Sequence, residues 1–150
     1  MSGDVTNLQE SKAMTRTVIL LAIAFLTSSC TINQSVTPSG ISDNQLICII
    51  EDPAVREGFL DELTAILNEK KIAYEVVNKQ KALDCEWTMT YLGRWSWDMA
   101  LYMSYAEIKV FRNGIKNGEA IYDASRGAFN LGKFIDAETK IRELVEELIK

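Results

Sequence analysis

The stretch Leu46–Pro53, LICIIEDP, combines an unbroken apolar run with a signal for the start of a helix. Such a run is typical of a strand that is covered on both faces of a sheet. Asp52 suits a helix N-cap, and Pro53 suits the first helical position. We therefore predict a buried strand that leads directly into a helix.

The sequence that follows completes a strand–helix–strand unit. Apolar residues recur at helical spacing from Val55 to Ile66, and Ala73–Val77 is a second short segment of strand-like composition. Two strands joined by such a crossover almost always pair in parallel. We predict that the two strands are parallel and that the helix lies on one face of their sheet.

Strand-like sequence then runs without an obvious break from Cys85 to Phe111. As a single strand it would extend about 90 Å, whereas a domain of this size has a radius of gyration near 13 Å, so the chain must turn. The only glycine in the run is Gly93, and we predict the turn within Gly93–Asp98, GRWSWD. The apolar parity flips further on, which predicts a β-bulge near Ser104–Glu107.

The C-terminal part adds a hairpin and a helix. Asn113-Gly114 is a strong turn signal that leads into a last strand at about Lys116–Ala124, and Asp136 can cap a final amphipathic helix. The predicted fold is an α/β (α+β) two-layer sandwich in the order strand, helix, four strands, helix. About five strands form a mixed sheet, and both helices lie on one face.

Composition restricts the possible functions. The 150 residues are 47% hydrophobic and 25% charged, with a net charge of −5, no basic cluster and no histidine. Nucleic acid is therefore not expected as a partner. The absence of histidine excludes Ser-His-Asp and Cys-His catalytic systems. No cysteine spacing resembles a zinc or haem site, so neither a metal nor another cofactor is expected.

The N-terminal region has the sequence pattern of a targeting signal. Val18–Leu26 is an apolar run of nine residues that follows Arg16 and precedes Cys30. As a helix it spans about 14 Å, which is too short to cross a bilayer, so it is typical of a secretory signal. With its cysteine it resembles a bacterial lipoprotein signal, and this resemblance implies cleavage before Cys30 and lipidation of that residue. An ordinary secretory signal, or a buried helix with a chance cysteine, is the alternative. The resemblance also implies a location. In such lipoproteins an aspartate directly after the lipidated cysteine favours retention in the inner membrane, so Thr31 at that position favours the outer membrane.

These features divide the chain into four parts. Residues 1–13 contain acidic side chains that do not suit a leader, so we interpret them as an upstream over-extension before a true start at Met14. Residues 14–29 are the predicted signal peptide, and residues 30–44 are the lipidated cysteine and a polar, flexible tether. Residues 45–150 are the predicted periplasmic α/β domain.

The two remaining cysteines, Cys48 and Cys85, would then face an oxidising compartment, where thiols are more often paired than free. We predict a disulfide between them. The alternative is that Cys48 is only a small core residue in a central strand.

The predicted topology gathers aromatic and charged residues at one end of the sandwich. These residues are Trp95, Trp97, Asp98, Tyr122, Asp123, Arg126 and Lys133. One interpretation is a groove that binds a ligand or a partner. The other is that the tryptophans close the core, with Trp97 buried and Trp95 more exposed, while Asp98 pairs with Arg94 or Arg126.

The region after the signal resembles small outer-membrane lipoproteins of Gram-negative bacteria. The resemblance covers Gln45–Lys150 and lies in a cysteine followed by WSWDMALYM (Trp95–Met103), then AIYDA (Ala120–Ala124) and GKF (Gly132–Phe134). It implies no activity. The predicted architecture is also similar to that of the lipoprotein that plugs the lipopolysaccharide-assembly barrel, but fold does not carry function.

Two functions follow as expectations. The first is a non-enzymatic binding or assembly module, anchored in the outer membrane and facing the periplasm, with an envelope protein, a lipid or a glycan as its partner. The second is a hydrolase of carbohydrate or cell wall, in which Asp98 and Asp123 form an acid–base pair. Carboxylates that are paired with cations favour the module.

Overall fold

The computed structural model describes residues 32–42, 44–127 and 130–150. The predicted signal peptide and Cys30 lie outside these residues. Within them, no helix is both long enough and apolar enough to cross a membrane. The strands are β1 Asn33–Thr37, β2 Ile47–Ile50, β3 Tyr74–Val77, β4 Trp87–Asp98, β5 Ala100–Arg112 and β6 Ile115–Asp123, and the helices are α1 Glu57–Glu69 and α2 Ala137–Leu148.

The predicted α/β fold is confirmed, with six strands among the described residues where about five were predicted. The sheet has the order β1-β6-β5-β4-β2-β3. β2 pairs in parallel with β3 and with β4, and the remaining pairs are antiparallel. Both helices pack on one face of the sheet and enclose the main core. Its largest fully buried side chains include Phe59, Leu63, Ile66, Met89, Ile108, Ile141 and Leu144.

β2 is covered on both faces, as its apolar run predicts. Ile47 and Ile49 are fully buried in the core under the helices. Cys48, on the opposite face, belongs to a second, smaller cluster beside the 3₁₀ turn Lys81–Asp84. Cys48 and Cys85 are joined there by a disulfide, with their Cα atoms 6.2 Å apart. The small cluster is therefore held by a covalent bond as well as by packing.

The first helix begins later than predicted. Its first residue is Glu57, and Arg56 at the N-cap position makes no side-chain cap hydrogen bond. Asp52 instead accepts a hydrogen bond from the backbone N–H of Ala54 at 3.0 Å, within a turn. The Asp-Pro pair that suits a helix start also suits a turn, because the aspartate can bond the backbone two residues on. At α2, by contrast, Asp136 accepts from the N–H of Thr139, as predicted.

The interpretation of residues 30–44 as a flexible tether is wrong for the part that the structure describes. β1 pairs along its whole length with β6, from Asn33 opposite Asp123 to Thr37 opposite Glu119. Ser39, just beyond the strand, is buried and donates from its N–H and its hydroxyl to the carbonyl of Leu148. β1 is polar because it is an edge strand with most of its side chains exposed.

Gly118 on β6 is the point at which the chain after β1 approaches the sheet most closely. A Cβ on Gly118 would lie 2.6 Å from the Cα of Ser39. Gly118→Ala should therefore lower the free energy of unfolding by about 1–3 kcal/mol. The matched control is Gly58→Ala on α1, where a Cβ meets nothing within 4 Å. That variant should be neutral or stabilising by up to about 1 kcal/mol. Urea unfolding compares the two, and equal effects would contradict this packing.

The turn in the long strand-like run lies further along than predicted. β4 continues through GRWSWD to Asp98, which pairs with Ala100, and Met99 alone makes the turn with φ 59°. Gly93 lies within the strand, where a Cβ would come within 2.7 Å of the Trp95 ring. Gly93 thus permits close packing and does not make a turn.

Two further features of strands β4 to β6 agree with the predictions from the sequence. Ser104 has no cross-strand partner on β4, because Arg94 pairs with Tyr105 whereas Trp95 pairs with Met103. This is the predicted bulge. Asn113 and Gly114 both have positive φ in the turn between β5 and β6, as the Asn-Gly signal predicts.

Candidate functional site

The predicted site residues fall at one end of the sheet. β4, β5, β6 and β1 are successively antiparallel, so the end of β4, the start of β5, the end of β6 and the start of β1 share that end. We call it the tip end. The β4–β5 hairpin extends beyond β6, whose pairing with β5 starts at Tyr105 opposite Asp123.

Asp98 and Lys133 form an ion pair at this end. The Nζ of Lys133 lies 2.5 Å from Oδ2 of Asp98, and the lysine side chain is only 3% exposed. Lys133 belongs to the 3₁₀ turn Leu131–Phe134. Its Nζ also lies 5.3 Å from the centre of the Tyr102 ring and 5.2 Å from that of the Phe134 ring. The buried ammonium group of Lys133 therefore holds this turn against the hairpin.

Asp123 is held by its own loop. The N–H and the hydroxyl of Ser125 both donate to its Oδ1, at 2.9 and 2.5 Å. These hydrogen bonds lower the pKa of Asp123 from its ordinary value near 3.8, and the nearby charge of Arg126 adds to the effect. Asp123 is therefore an ionised hydrogen-bond acceptor at neutral pH.

This arrangement has a consequence for stability in acid. Because folding lowers the pKa of Asp123, its contribution is present above the unfolded pKa of about 3.9 and is lost as the pH falls through the folded value. Asp123→Asn should destabilise the protein at pH 7 and have a smaller effect near pH 2. Unfolding at both pH values, together with an NMR titration of the Asp123 carboxyl, checks this. An Asp123 pKa at or above the ordinary value would contradict it.

The two tryptophans of the hairpin have the reverse of the predicted exposure. Trp97 is 75% exposed. Trp95 is half-buried, packs against the core and lies under the guanidinium of Arg56, which is 5.5 Å from the ring centre. The prediction that Trp97 is buried and Trp95 more exposed is wrong, because the hairpin runs past the helix layer and Trp95 is the last tryptophan to reach α1.

Tyr122 is not part of a groove. It is 1% exposed in the main core, and the Nζ of Lys140 lies 5.2 Å from its ring centre. Arg94 does not supply the cation for Asp98, because its guanidinium lies over the Tyr105 ring at 5.4 Å. Arg126 is exposed beside Asp123. Of the predicted residues, Asp98 and Lys133 are thus in direct contact, and Tyr122 belongs to the core.

Sequence reasoning missed the apolar residues around the tip. Met99 is 88% exposed and Leu101 is 53% exposed. Phe134 packs edge-to-face on Tyr102, with ring centres 5.5 Å apart. A shallow cavity of about 350 Å³ lies between the hairpin and the start of α2, lined in part by Trp95, Leu101 and Phe134. The available signal is the run of apolar residues on both sides of Asp98, but such a run is equally typical of the interior of a strand.

No group of three or more Cys, Asp or Glu side chains that could hold a metal ion occurs within the part of the chain that the structure describes. The described contacts at the tip end include an ion pair, hydrogen bonds and aromatic packing, and exposed apolar side chains lie beside them.

Comparison with known proteins finds solved structures with a similar fold but no matching family. No family model matches the chain, and no curated protein matches it. Among solved structures it is similar to the PelC dodecamer from Paraburkholderia phytofirmans, with a TM-score of 0.56 and 10% identity, covering 80% of this chain and 99% of PelC. A variant of the same dodecamer gives a TM-score of 0.54 with the same identity and coverage. The likeness shows the fold alone.

Proposed function

We propose that this protein is a lipoprotein anchored at Cys30 in the outer membrane, and that its folded domain is a non-enzymatic binding or assembly module facing the periplasm. The anchor rests on the sequence, in which the apolar run Val18–Leu26 precedes a cysteine after small residues. An envelope protein, a lipid or a glycan is the proposed class of partner.

The observation that best supports a binding module is the environment of the two carboxylates, Asp98 and Asp123. Asp98 is paired with the buried Lys133, and Asp123 accepts two hydrogen bonds from Ser125, which lower its pKa. A glycosidase needs one carboxylic acid that stays protonated at the working pH, so its pKa must be raised. The lowered pKa of Asp123 does not suit that role. Asp98 is already engaged in its ion pair with Lys133. Both features support a module over a hydrolase.

The exposed apolar residues of the hairpin support the same choice. The end of the β4–β5 hairpin lies outside the core and exposes three large apolar residues, Trp97, Met99 and Leu101. Exposed large side chains, tryptophan above all, are typical of interaction surfaces. PelC, which shares the fold, assembles as a dodecamer. At 10% identity that assembly is a property of PelC, and the proposal names no partner from it.

A paired experiment separates the two functions. Purified protein is incubated with cell-wall sacculi and with envelope glycans, and released reducing ends are counted. The module predicts no release above the level of Asp98→Asn and Asp123→Asn. In parallel, a photo-crosslinking residue at position 97 in intact cells should trap an envelope component, whereas the same residue at Leu83, which is 86% exposed elsewhere in the domain, should not.

The contradicting results are equally specific. Release of reducing ends that is lost in Asp98→Asn and Asp123→Asn, but kept in the surface variant Asp61→Asn, would establish the hydrolase. Crosslinking that is equal at positions 97 and 83 would remove the tip end as the binding surface.

A further inference from the structure

The end of the β4–β5 hairpin presents an uncovered apolar surface. We define the tip patch as Trp97, Met99 and Leu101, whose exposed fractions are 75%, 88% and 53%. Trp97 and Leu101 are direct cross-strand partners, and Met99 is the turn residue between the strands. Partners in register lie on the same face of a hairpin, so the tryptophan and the leucine form one surface that the methionine extends.

The tip patch is held in a defined position. The hydroxyl of Ser96 donates to that of Ser104 at 2.9 Å across the hairpin. The ion pair of Asp98 with Lys133 fastens one side of the hairpin to the turn Leu131–Phe134, and Trp95 fastens the other to the core. Asp98 is the only charged residue within 95–104, and Lys133 compensates its charge. The tip can therefore approach an apolar medium without an unpaired carboxylate.

The chain enters the domain at the same end as the tip patch. β1 starts at Asn33, which pairs with Asp123 at the end of β6. Just before it, the Cδ1 of Ile32 lies 3.5 Å from the point where a Cβ on Gly132 would be, in the turn that holds the hairpin. Only three residue steps separate Asn33 from Cys30, and a chain of three residues spans at most about 10 Å.

The β4–β5 hairpin extends further from the sheet than the chain between Cys30 and β1 can reach. The hairpin continues for about five residues per strand beyond the level of Asp123, which is about 17 Å along the strand direction. Cys30 can reach about 10 Å in that direction from Asn33. The tip patch thus extends at least about 7 Å further in this direction than three extended residues can reach, so it would meet the surface that holds the anchor before the rest of the domain does.

We infer that the tip patch inserts into the interface of the leaflet that carries the anchor, so that its partner is the lipid surface itself. This inference rests on the proposed lipidation of Cys30. Tryptophan suits this position because its amphipathic ring favours the headgroup level, and methionine and leucine supply apolar area. A second contact beside the anchor fixes the orientation of the domain. The turn at Asn113 and Gly114 then points away from the membrane.

The test uses the protein purified from membranes with its anchor and reconstituted in vesicles of phosphatidylethanolamine and phosphatidylglycerol that contain lipids brominated near the headgroup. Flotation reports attachment, and quenching of tryptophan emission by the bromines reports insertion. Because Trp97 is one of three tryptophans, bromines should remove about a third of the emission, by contact at the interface. Trp97→Phe should abolish that fraction.

A matched control places the reporter at the other end of the sheet. Ile115 is 75% exposed, as Trp97 is, and lies in the β5–β6 hairpin at the opposite end. In the double variant Trp97→Phe with Ile115→Trp, the new tryptophan should stay accessible to aqueous acrylamide and should not be quenched by bromines.

Each remaining outcome overturns the inference in a distinguishable way. Protein that floats with the vesicles while Trp97 stays open to acrylamide and unquenched by bromines keeps the anchor and rejects insertion. If Trp97 is shielded from both quenchers, the tip patch is covered by protein, such as a second copy of the chain. Protein that does not float at all rejects the proposed anchor, and the insertion with it.

Discussion

Replacement of both Cys48 and Cys85 by alanine should lower the free energy of unfolding by about 3–4 kcal/mol, which is the chain-entropy cost of releasing a closed loop of this length. The bonded residues are 37 positions apart, and the loop between them contains all of α1 and β3. Without the bond, the unfolded chain regains the freedom that the crosslink removes. This change is a large part of the stability of a domain of this size.

The measurement is urea unfolding of the double alanine variant beside the wild type with and without reductant. Alanine is the suitable replacement because Cys48 is 2% exposed in an apolar cluster, where a serine hydroxyl would need a partner. The reduced wild type should lose a similar amount, which separates the loss of the crosslink from the loss of side-chain volume. An unchanged unfolding midpoint in both samples would show that the loop contributes no such entropy.

Trp87→Ala should be the most destabilising single tryptophan substitution, by about 3–5 kcal/mol. Trp87 is 3% exposed at the start of β4, in the main core, and the guanidinium of Arg112 lies 5.3 Å from its ring centre. Truncation leaves a cavity that the surrounding sheet and helices can fill only in part.

The matched control is Trp97→Ala, which is the same substitution on the same strand. Because Trp97 is 75% exposed, its truncation should change the free energy of unfolding by no more than about 0.5 kcal/mol. Thermal or urea unfolding of the isolated variants compares them directly. A larger loss for Trp97 than for Trp87 would restore the sequence-based expectation that Trp97 closes the core.

The parts of the fold that follow from local sequence are those with strong, consistent patterns. The apolar run of β2, the helical stripe of α1 and the second strand together imply a parallel unit with a helix on one face, and the structure has that unit. Asn113-Gly114 and Asp136 act as the turn and the cap that their chemistry implies. In each case one local interaction decides the conformation.

The errors arise where tertiary contacts override composition. β1 reads as a tether because its residues are polar, yet the edge of β6 offers a full set of backbone partners. Met99 makes the hairpin turn with a positive φ that a methionine rarely adopts, so neither propensity nor a glycine marked its position. This shift of the turn lengthens the hairpin and brings Trp97 out of the core.

The sequence predicts where the candidate site lies, but it does not predict which of its residues are in contact. Antiparallel order alone places Asp98 and Asp123 at one end of the sheet. The pairing of Asp98 with Lys133 depends on the path of the turn Leu131–Phe134, about which the sequence carries no periodic signal. The burial of Tyr122 depends on the placement of α2 over the end of β6.

The most direct test of the central proposal, a module anchored by lipid at Cys30, is the mass of the N-terminal peptide of the protein extracted from outer membranes. The proposal predicts that the mature chain begins at Cys30, that this residue carries several acyl chains, and that Cys30→Ser abolishes both processing and attachment. Several acyl chains hold a protein on a membrane where one gives only marginal binding. An N-terminal peptide with an unmodified Cys30, or a chain that keeps Val18–Leu26, would contradict the proposal.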